Sequence, residues 1–143
     1  ADDINSHMPD HVVDRVSYAL NEDGKPIRGS KILVLGVAYK RDITDWRESP
    51  ASPIIDGLMA RGGEVEYHDD FVPEFAIGAH GAGARLKSVP LDYSALGAYD
   101  CVVVVTDHTY FDNEAILEGA HRIVDTRNIT GAAGRAHPKV VKL

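Results

Sequence analysis

Apolar residues along this chain fall into short continuous runs and into stripes at helical spacing. The run at residues 31–37 is apolar on both faces, which predicts a strand covered on both sides of a sheet. Later runs predict four more strands, at residues 64–69, 100–106, 121–125 and 139–143. The segments between these strands are long enough for helices.

The first helical stripe lies near the start of the chain. It predicts a helix that opens at Met8-Pro9, with the proline in its first turn. Its apolar residues follow the spacing of one buried helical face: Val12, Val13, Val16, Ala19 and Leu20.

A second stripe, after the first strand, predicts the best-marked helix of the chain. Ser49 and Pro50 are a typical N-cap and first-turn proline, and two glycines at 62–63 are a typical stop. Shorter helices are predicted near residues 93–96 and 113–118. Strands that alternate with helices predict the α/β fold class, here a Rossmann-like parallel sheet with helices on both faces.

Two segments carry weaker patterns. A polar cluster at residues 21–26 separates the first helix from the first strand and predicts a domain boundary near Gly24. Residues 71–90 lack a clear period, and their Gly/Ala-rich part, 78–84, predicts an exposed loop. Because residues 4–5 enter a helical pattern with no strand or turn before it, we expect the chain to be a fragment.

Composition excludes several classes of function. The net charge is −7 and there is no Lys/Arg run, which argues against a nucleic-acid partner. The one cysteine excludes an internal disulfide and a multi-thiolate metal site, and it is compatible with a reducing cytosol. No apolar run approaches the roughly 18–20 residues that span a bilayer. We therefore expect a cytoplasmic protein with no membrane partner.

Candidate chemistry is concentrated in residues 36–50, which lead from the first strand into the second helix. This loop carries three cations, Lys40, Arg41 and Arg47, where parallel sheets bind ligands, so it suits a phosphorylated ligand. The three-glycine fingerprint of dinucleotide binding is missing, so NAD should not be held in the usual Rossmann manner. An alternative stays open, in which the cations pair with acids of the same loop: Asp42, Asp45 and Glu48.

Arg127 is a second candidate, since it follows the predicted strand at 121–125. In a parallel sheet its side chain should emerge at the same edge as Lys40, so that two distant segments converge. Here too a structural interpretation stays open, in which Asp125 holds the arginine as part of its own loop.

Three of these segments, residues 4–13, 36–50 and 124–128, resemble the C-terminal part of the UDP-glucose/GDP-mannose dehydrogenases. The resemblance implies that residues 1–23 end a central helical dimerisation region and that residues 24–143 form the UDP-sugar-binding domain. Enzymes of this family oxidise the C6 hydroxymethyl group of a nucleotide sugar to a carboxylate with NAD, and the full-length enzyme is expected to be a homodimer.

The resemblance also assigns residues. It implies that Tyr39, Lys40 and Arg127 contact the UDP-sugar and that Arg47 reaches toward NAD, while Arg41 receives no role. The sequence of the 36–50 loop is more similar to that of members acting on UDP-N-acetylhexosamines than to that of members acting on UDP-glucose.

No catalytic residue is expected within the chain. The family's nucleophilic cysteine lies upstream of this region, and Cys101 lies inside an apolar run, where a thiol is typically a core residue. We therefore expect this polypeptide alone to have no dehydrogenase activity. The rival hypothesis is a noncatalytic α/β interaction module whose cationic loop is only structural.

Other pairs of polar residues support no site. His7 and His11 lack a third ligand, so no metal is predicted. Asp69-Asp70 follows the wrong strand for a phosphoacceptor pocket, and Asp107-His108 lacks a nucleophile for hydrolysis. Trp46 is expected to pack the loop, although stacking on a base is also open.

Overall fold

Seven strands are found in the described part of the chain, residues 2–77, 84–135 and 137–143 of a computed structural model. In chain order they are β1 Lys31–Leu35, β2 Glu64–His68, β3 Glu74–Ala76, β4 Arg85–Lys87, β5 Cys101–Val104, β6 Ile123–Asp125 and β7 Val140–Lys142. Five of them form a parallel sheet in the order β2-β1-β5-β6-β7, and β3 and β4 form a short antiparallel hairpin. The five predicted strands are confirmed.

The helices match the sequence pattern with differences at their ends. They are α1 Asp2–Asn21, α2 Ala51–Ala60, α3 Asn113–Gly119 and α4 Gly131–Arg135, with a 3-10 helix at Tyr93–Ala98. The prediction that Pro9 lies in a first turn is wrong, because α1 already begins at Asp2 and the proline lies inside it. Proline has no N–H to donate, so α1 tolerates one missing backbone hydrogen bond at this point.

The start of α2 differs from the prediction by one residue. Pro50 itself occupies the N-cap position, and the Ser49 hydroxyl accepts a hydrogen bond from the Ala51 N–H at 3.1 Å. The stop is as predicted, since Gly62 adopts a left-handed φ of +89°.

Strand alternation divides the core into two layers. Ile32 and Val34 of β1 pack in a cluster with α1 and α2, while Leu33 and Leu35 pack with α3 and the 3-10 helix. Helices therefore cover both faces of the parallel sheet, which confirms the predicted fold class.

The weakly patterned segment contains the hairpin that the sequence did not predict. Each of its two strands has three residues, and only Phe75 among them is fully buried. The predicted loop at residues 78–84 falls almost entirely outside the described residues, which resume at Ala84.

Helix α1 packs directly on the sheet. Its buried residues belong to the same apolar cluster as β1 and α2, and Asp23 beyond its end forms an ion pair with Arg122 at 2.9 Å. The domain boundary at residues 23–24 stays a prediction, and the structure adds that the helix before it shares the core of the domain.

The order of the strands determines where a ligand-binding crevice can form. The chain passes from β1 outward to β2 and then returns to β5 on the other side of β1. Loops leaving the carboxyl ends of β1 and β5 therefore diverge, and such a switch point is where open α/β sheets bind ligands.

Candidate functional site

The loops after the parallel strands lie at one edge of the sheet, the carboxyl edge. Lys40 follows β1 and Arg127 follows β6, and since both strands run parallel to β5, the two residues lie at the same edge as predicted. Reaching this edge requires the β1 loop to pass very close to the segment after β5.

Gly36 makes that close passage possible. It has a φ of +84°, and a Cβ atom at this position would lie 2.4 Å from the Thr106 carbonyl oxygen. Just beyond it, the Thr106 hydroxyl donates a hydrogen bond to the Ala38 carbonyl at 2.6 Å. Only glycine combines this left-handed backbone with this lack of volume.

Asp69, directly after β2, holds the next part of the loop. Its fully buried carboxylate accepts hydrogen bonds from the N–H groups of Val37, at 2.8 Å, and Ala38, at 3.1 Å. Burial alone would raise the pKa of Asp69, but hydrogen bonds from His108 and the Val37 N–H outweigh it and hold the pKa below its ordinary value. The backbone donors after β1 are thus satisfied by a carboxylate of the protein itself.

His108 continues this buried contact toward the surface. Its Nε2 lies 2.8 Å from the Asp69 carboxylate, and its Nδ1 accepts a hydrogen bond from the Asp42 N–H at 2.8 Å. Because Nδ1 is an acceptor here, Nε2 carries the proton and donates it to Asp69.

Asp42 lies in the β1 loop and its side chain binds the β5 loop. It adopts a left-handed φ of +60°, and its carboxylate accepts hydrogen bonds from the Thr109 N–H at 3.0 Å and the Thr109 hydroxyl at 2.7 Å. The Thr109 hydrogen bonds lower the pKa of Asp42. Asp42, Asp69, His108 and Thr109, here called the latch network, fix the β1 loop against the β5 loop.

The three loop cations have different partners. Arg47 pairs with Asp45 at 3.1 Å, as the alternative interpretation of the loop required. Arg41 instead pairs with Asp107 of the β5 loop, and Lys40 forms no ion pair with a described residue, its ammonium lying 5.5 Å from the Tyr39 ring centroid. Pairing within the loop therefore accounts for one of the three cations.

Arg127 is held through its backbone N–H and through Nε of its side chain. Its Nε donates to the Val105 carbonyl at 3.0 Å, and its backbone N–H donates to the Asp125 carboxylate at 3.2 Å. Asp125 thus binds the backbone of Arg127 and not its guanidinium. Both terminal nitrogens lack a hydrogen bond to the described residues, so the arginine can still donate to a ligand.

Asp125 shapes the loop that carries this arginine. Its buried carboxylate also accepts hydrogen bonds from the Ile129 and Thr130 N–H groups and from the Thr130 hydroxyl. Burial alone would raise the pKa of Asp125, but the Thr130 hydrogen bonds outweigh it and lower the pKa.

Three neighbouring clefts at the carboxyl edge contain candidate residues. The arginine cleft, of about 350 Å³, contains both Arg41 and Arg127. The tyrosine cleft, of about 400 Å³, is lined by Tyr39, Asp45, Arg47 and Glu48. The proline cleft, of about 480 Å³, shares Glu48 with the tyrosine cleft and Arg127 with the arginine cleft. Shared residues make the three clefts neighbours along one crevice.

The sequence-predicted residues are distributed unevenly over these clefts. Tyr39 and Arg47 lie together, Arg127 lies in two clefts, and Lys40 lines none of the three. The cation that shares a cleft with Arg127 is Arg41, which the sequence analysis counted among the loop cations but to which the family resemblance gave no role. Asp69 and His108 were considered only for a phosphoacceptor pocket and for hydrolysis, and their structural role in holding the β1 loop was missed.

Other sequence interpretations have clear structural outcomes. Cys101 is buried in β5, and burial raises its pKa to about 12, which leaves a protonated core thiol. Trp46 packs against Phe75 with 5.6 Å between ring centroids.

In the described part of the chain there is no group of residues able to hold a metal, while the His7 side chain lies outside the described side chains. Within those same limits, no helix has the length and apolarity to cross a membrane.

Comparison with known proteins decides the family. Residues 33–132 match the UDP-glucose/GDP-mannose dehydrogenase family, UDP binding domain. The chain belongs to the UDP-glucose/GDP-mannose dehydrogenase family. This match spans β1 through α4 and so includes every loop of the carboxyl edge described above.

Relatives within the UDP-glucose/GDP-mannose dehydrogenase family are named for different nucleotide sugars. The UDP-N-acetyl-D-mannosamine dehydrogenase of Methanocaldococcus jannaschii is 31% identical over 90% of this chain and 29% of its own length. The UDP-glucose 6-dehydrogenase of Rickettsia bellii is 38% identical over 90% of this chain and 30% of its own. Among solved structures, the UDP-D-ManNAc dehydrogenase from Pyrococcus horikoshii has a TM-score of 0.69 at 26% identity, covering 88% of this chain and 28% of its own. The chain spans less than a third of each of these relatives.

Proposed function

We propose that this chain is the C-terminal substrate-binding domain of an NAD-dependent nucleotide-sugar 6-dehydrogenase, that it binds the UDP part of the substrate, and that it is inactive alone. The observation that carries the proposal is the crevice at the carboxyl edge, where the terminal guanidinium nitrogens of Arg127 have no hydrogen-bond partner among the described residues. The family match of this domain is to UDP binding. Charged donors with unused hydrogen-bonding capacity are what a diphosphate needs.

Within this proposal Tyr39, Lys40 and Arg127 contact the UDP-sugar. Tyr39 is 41% exposed with the Lys40 ammonium over its ring, so both can meet a ligand without rearranging the core. The substrate class is a UDP-N-acetylhexosamine, a choice that the names of the archaeal relatives support. The 38% identity to a UDP-glucose 6-dehydrogenase makes this the part of the proposal that most needs a direct test.

NAD is the proposed cofactor of the complete enzyme, and this domain suits only a peripheral contact with it. The N–H groups of Val37 and Ala38, which follow β1 where a Rossmann domain would cradle a pyrophosphate, already donate to Asp69. Arg47 is 78% exposed at its side chain and is the residue proposed to reach the cofactor. When bound, NAD accepts hydride from the sugar carbon.

The proposed inactivity of the isolated chain follows from its one thiol. Cys101 is fully buried and protonated, so it cannot serve as the thiolate nucleophile of a two-step oxidation. The proposed complete enzyme is a homodimer in which residues 1–23 end a central helical region and residues 24–143 form the UDP-sugar domain.

A calorimetric titration of the purified chain with UDP tests the binding role. We expect saturable binding that weakens about tenfold or more in Arg127→Ala, as losing a charged contact implies. Arg61→Ala is the matched control, because Arg61 pairs with Asp14 at 3.1 Å away from the carboxyl edge. Equal heats from all three proteins, or no heat at all, would favour the noncatalytic interaction module.

A chimera tests the catalytic role. Here the chain replaces the corresponding segment of the Methanocaldococcus jannaschii relative, and NADH formation is followed with UDP-N-acetylmannosamine and with UDP-glucose. We expect activity from the chimera, preference for the N-acetylated sugar, and none from the chain alone. NADH produced by the pure chain would contradict the proposed inactivity.

A further inference from the structure

We infer that Arg41 and Arg127 together form a two-arginine site for phosphate groups in the arginine cleft, with Asp107 as a competing anion within it. The inference rests on the proposed function for the identity of the phosphates, which are those of UDP. It assigns a specific binding role, shared with Arg127, to Arg41, which the loop pattern offered only as one of three cations and to which the family resemblance gave no role.

The two guanidinium groups are anchored in the same way. Arg127 Nε donates to the Val105 carbonyl and Arg41 Nε donates to the Asp107 carbonyl, each at 3.0 Å. Both arginines are therefore fixed to the segment that continues β5, although they come from loops after β6 and β1. Anchoring through Nε immobilises each side chain while leaving terminal nitrogens for another acceptor.

Those terminal nitrogens are largely unused. Arg127 uses neither Nη1 nor Nη2, and Arg41 uses only Nη2, toward Asp107, among the described residues. Guanidinium groups bind phosphate oxygens through paired N–H donors, which an ammonium cannot do. Two preorganised guanidiniums therefore match a phosphate or diphosphate better than a single lysine does.

The cleft between them has a suitable size and lining. Its volume is about 350 Å³, with apolar surface from Phe111 and Ile129 and amide groups from Asn113 and Asn128. Phe111 is nearly buried, so the apolar surface is part of the core and stays in place. An apolar wall beside charged donors reduces solvent screening of a bound anion.

Lys40 is less well placed for this role. Its ammonium lies over the Tyr39 ring and lines none of the three edge clefts. The residue next to it in sequence, Arg41, shares the cleft with Arg127. In this structure the anion site thus pairs Arg127 with Arg41.

Asp107 gives the site a property that a simple pair of cations would lack. Its carboxylate pairs with Arg41 at 2.5 Å, and the side chains are 57% and 21% exposed, for Arg41 and Asp107 respectively. An incoming phosphate must therefore share Arg41 with this carboxylate or displace it, and in either case it approaches a group of its own sign. Removing the Asp107 charge should strengthen phosphate binding, whereas removing the Arg41 charge should weaken it.

Calorimetric titrations of three probes, UDP, inorganic diphosphate and uridine, test the inference on the wild type and on four variants: Arg41→Gln, Arg127→Ala, Asp107→Asn and Arg61→Gln. Arg41→Gln should bind UDP and diphosphate about tenfold more weakly than the wild type. Asp107→Asn should bind both about two- to fivefold more tightly, the range expected for losing an exposed competing ion pair. Arg61→Gln, which loses the comparable Asp14 pair, should match the wild type, and no variant should change uridine binding.

The opposite signs separate a binding role from a structural one. If Arg41 and Asp107 only join the two loops, both variants weaken UDP and uridine alike, and the inference is overturned. Wild-type affinity for diphosphate in Arg41→Gln overturns it equally. UDP binding that needs Arg127 but not Arg41 would keep the proposed function and refute the two-arginine site. Diphosphate binding that needs both arginines, with UDP no tighter than diphosphate, would support the site and contradict the nucleotide assignment.

Discussion

The two halves of the carboxyl edge use their polar groups differently. On the side of β1 and β2, the latch network satisfies its donors and acceptors internally, from the Val37 and Ala38 N–H groups through Asp69 and His108 to Asp42. On the side of β6, the Arg127 side chain is fixed through Nε and lines a cleft, and its terminal nitrogens have no hydrogen-bond partner in the described part of the chain. One half of the edge holds the loops in place, and the other half can still bind a ligand.

This difference shows why charge alone is a poor guide to a binding site. Asp69 and His108 are a fully buried polar pair at the edge, yet both oxygens of Asp69 and both ring nitrogens of His108 already have hydrogen-bond partners within the protein. Arg41 and Arg127 come from loops that the latch network and Asp125 hold rigid. Rigid support and unused donors together make a site preorganised.

The largest expected effect on stability comes from Gly36→Ala, which changes the half of the carboxyl edge that holds the loops in place. The new methyl group would lie 2.4 Å from the Thr106 carbonyl oxygen on a backbone with φ of +84°, so β1 and the β5 loop would have to separate. We expect a loss of more than about 4 kcal/mol in the free energy of unfolding, measured by urea denaturation.

Gly24→Ala is the control for the backbone angle alone. Gly24 has a φ of +69° with no atom within 4 Å of an added Cβ. It should lose only about 1 kcal/mol, the cost of the left-handed conformation for a residue with a side chain. Equal losses in the two variants would show that the close approach to Thr106 has no energetic importance.

Asp69→Asn should have the next largest effect. The carboxylate accepts hydrogen bonds from Val37, Ala38 and His108 on one oxygen and from Phe71 on the other. An amide places an NH₂ group against one of these sets of donors, so we expect a loss of about 3 kcal/mol at pH 7. Asp70→Asn, with a side chain 70% exposed, is the matched control and should be close to the wild type.

The pH dependence gives this prediction a second measurement. Since the pKa of Asp69 in the folded chain is below its ordinary value, the contribution of its charge to stability is complete above about pH 5 and is lost progressively as the pH falls toward the lowered pKa. The difference in stability between wild type and Asp69→Asn should therefore shrink between pH 5 and about pH 3. A difference that stays constant over this interval would mean that the Asp69 charge does not contribute to the latch network.

The fold was largely predictable because its strands are apolar on both faces. Runs such as Cys101–Val104 leave little alternative to a buried parallel strand, whereas β3 and β4 bury too few residues to give a period. The early start of α1 was missed because a proline usually marks a first turn, whereas here Pro9 lies inside the helix.

The site was predictable only as far as topology decides it. Parallel strands put the loops of Lys40 and Arg127 at one edge, and that much followed from the sequence. The partners did not, since Asp69 and His108 are 39 residues apart and Arg41 and Asp107 are 66 apart. Which of two neighbouring cations turns toward the cleft depends on such long-range contacts, so Lys40 and Arg41 could not be distinguished from their order in the chain.

The smallest effect on stability is expected for Arg47→Gln, because Arg47 is an exposed residue of the carboxyl edge. Its ion-pair partner Asp45 lies two positions earlier in the chain, and the Arg47 side chain is 78% exposed. The midpoint of urea unfolding should therefore not change measurably. If Arg47 contacts NAD, the same substitution in the active chimera should raise the KM for NAD about tenfold while kcat and UDP affinity stay near wild type. Arg85→Gln removes a similar exposed pair, with Glu74 at 3.0 Å, and should change none of these quantities. An unchanged KM for NAD would leave Arg47 as a surface residue and would confine the binding function of this edge to the residues proposed to contact the UDP-sugar.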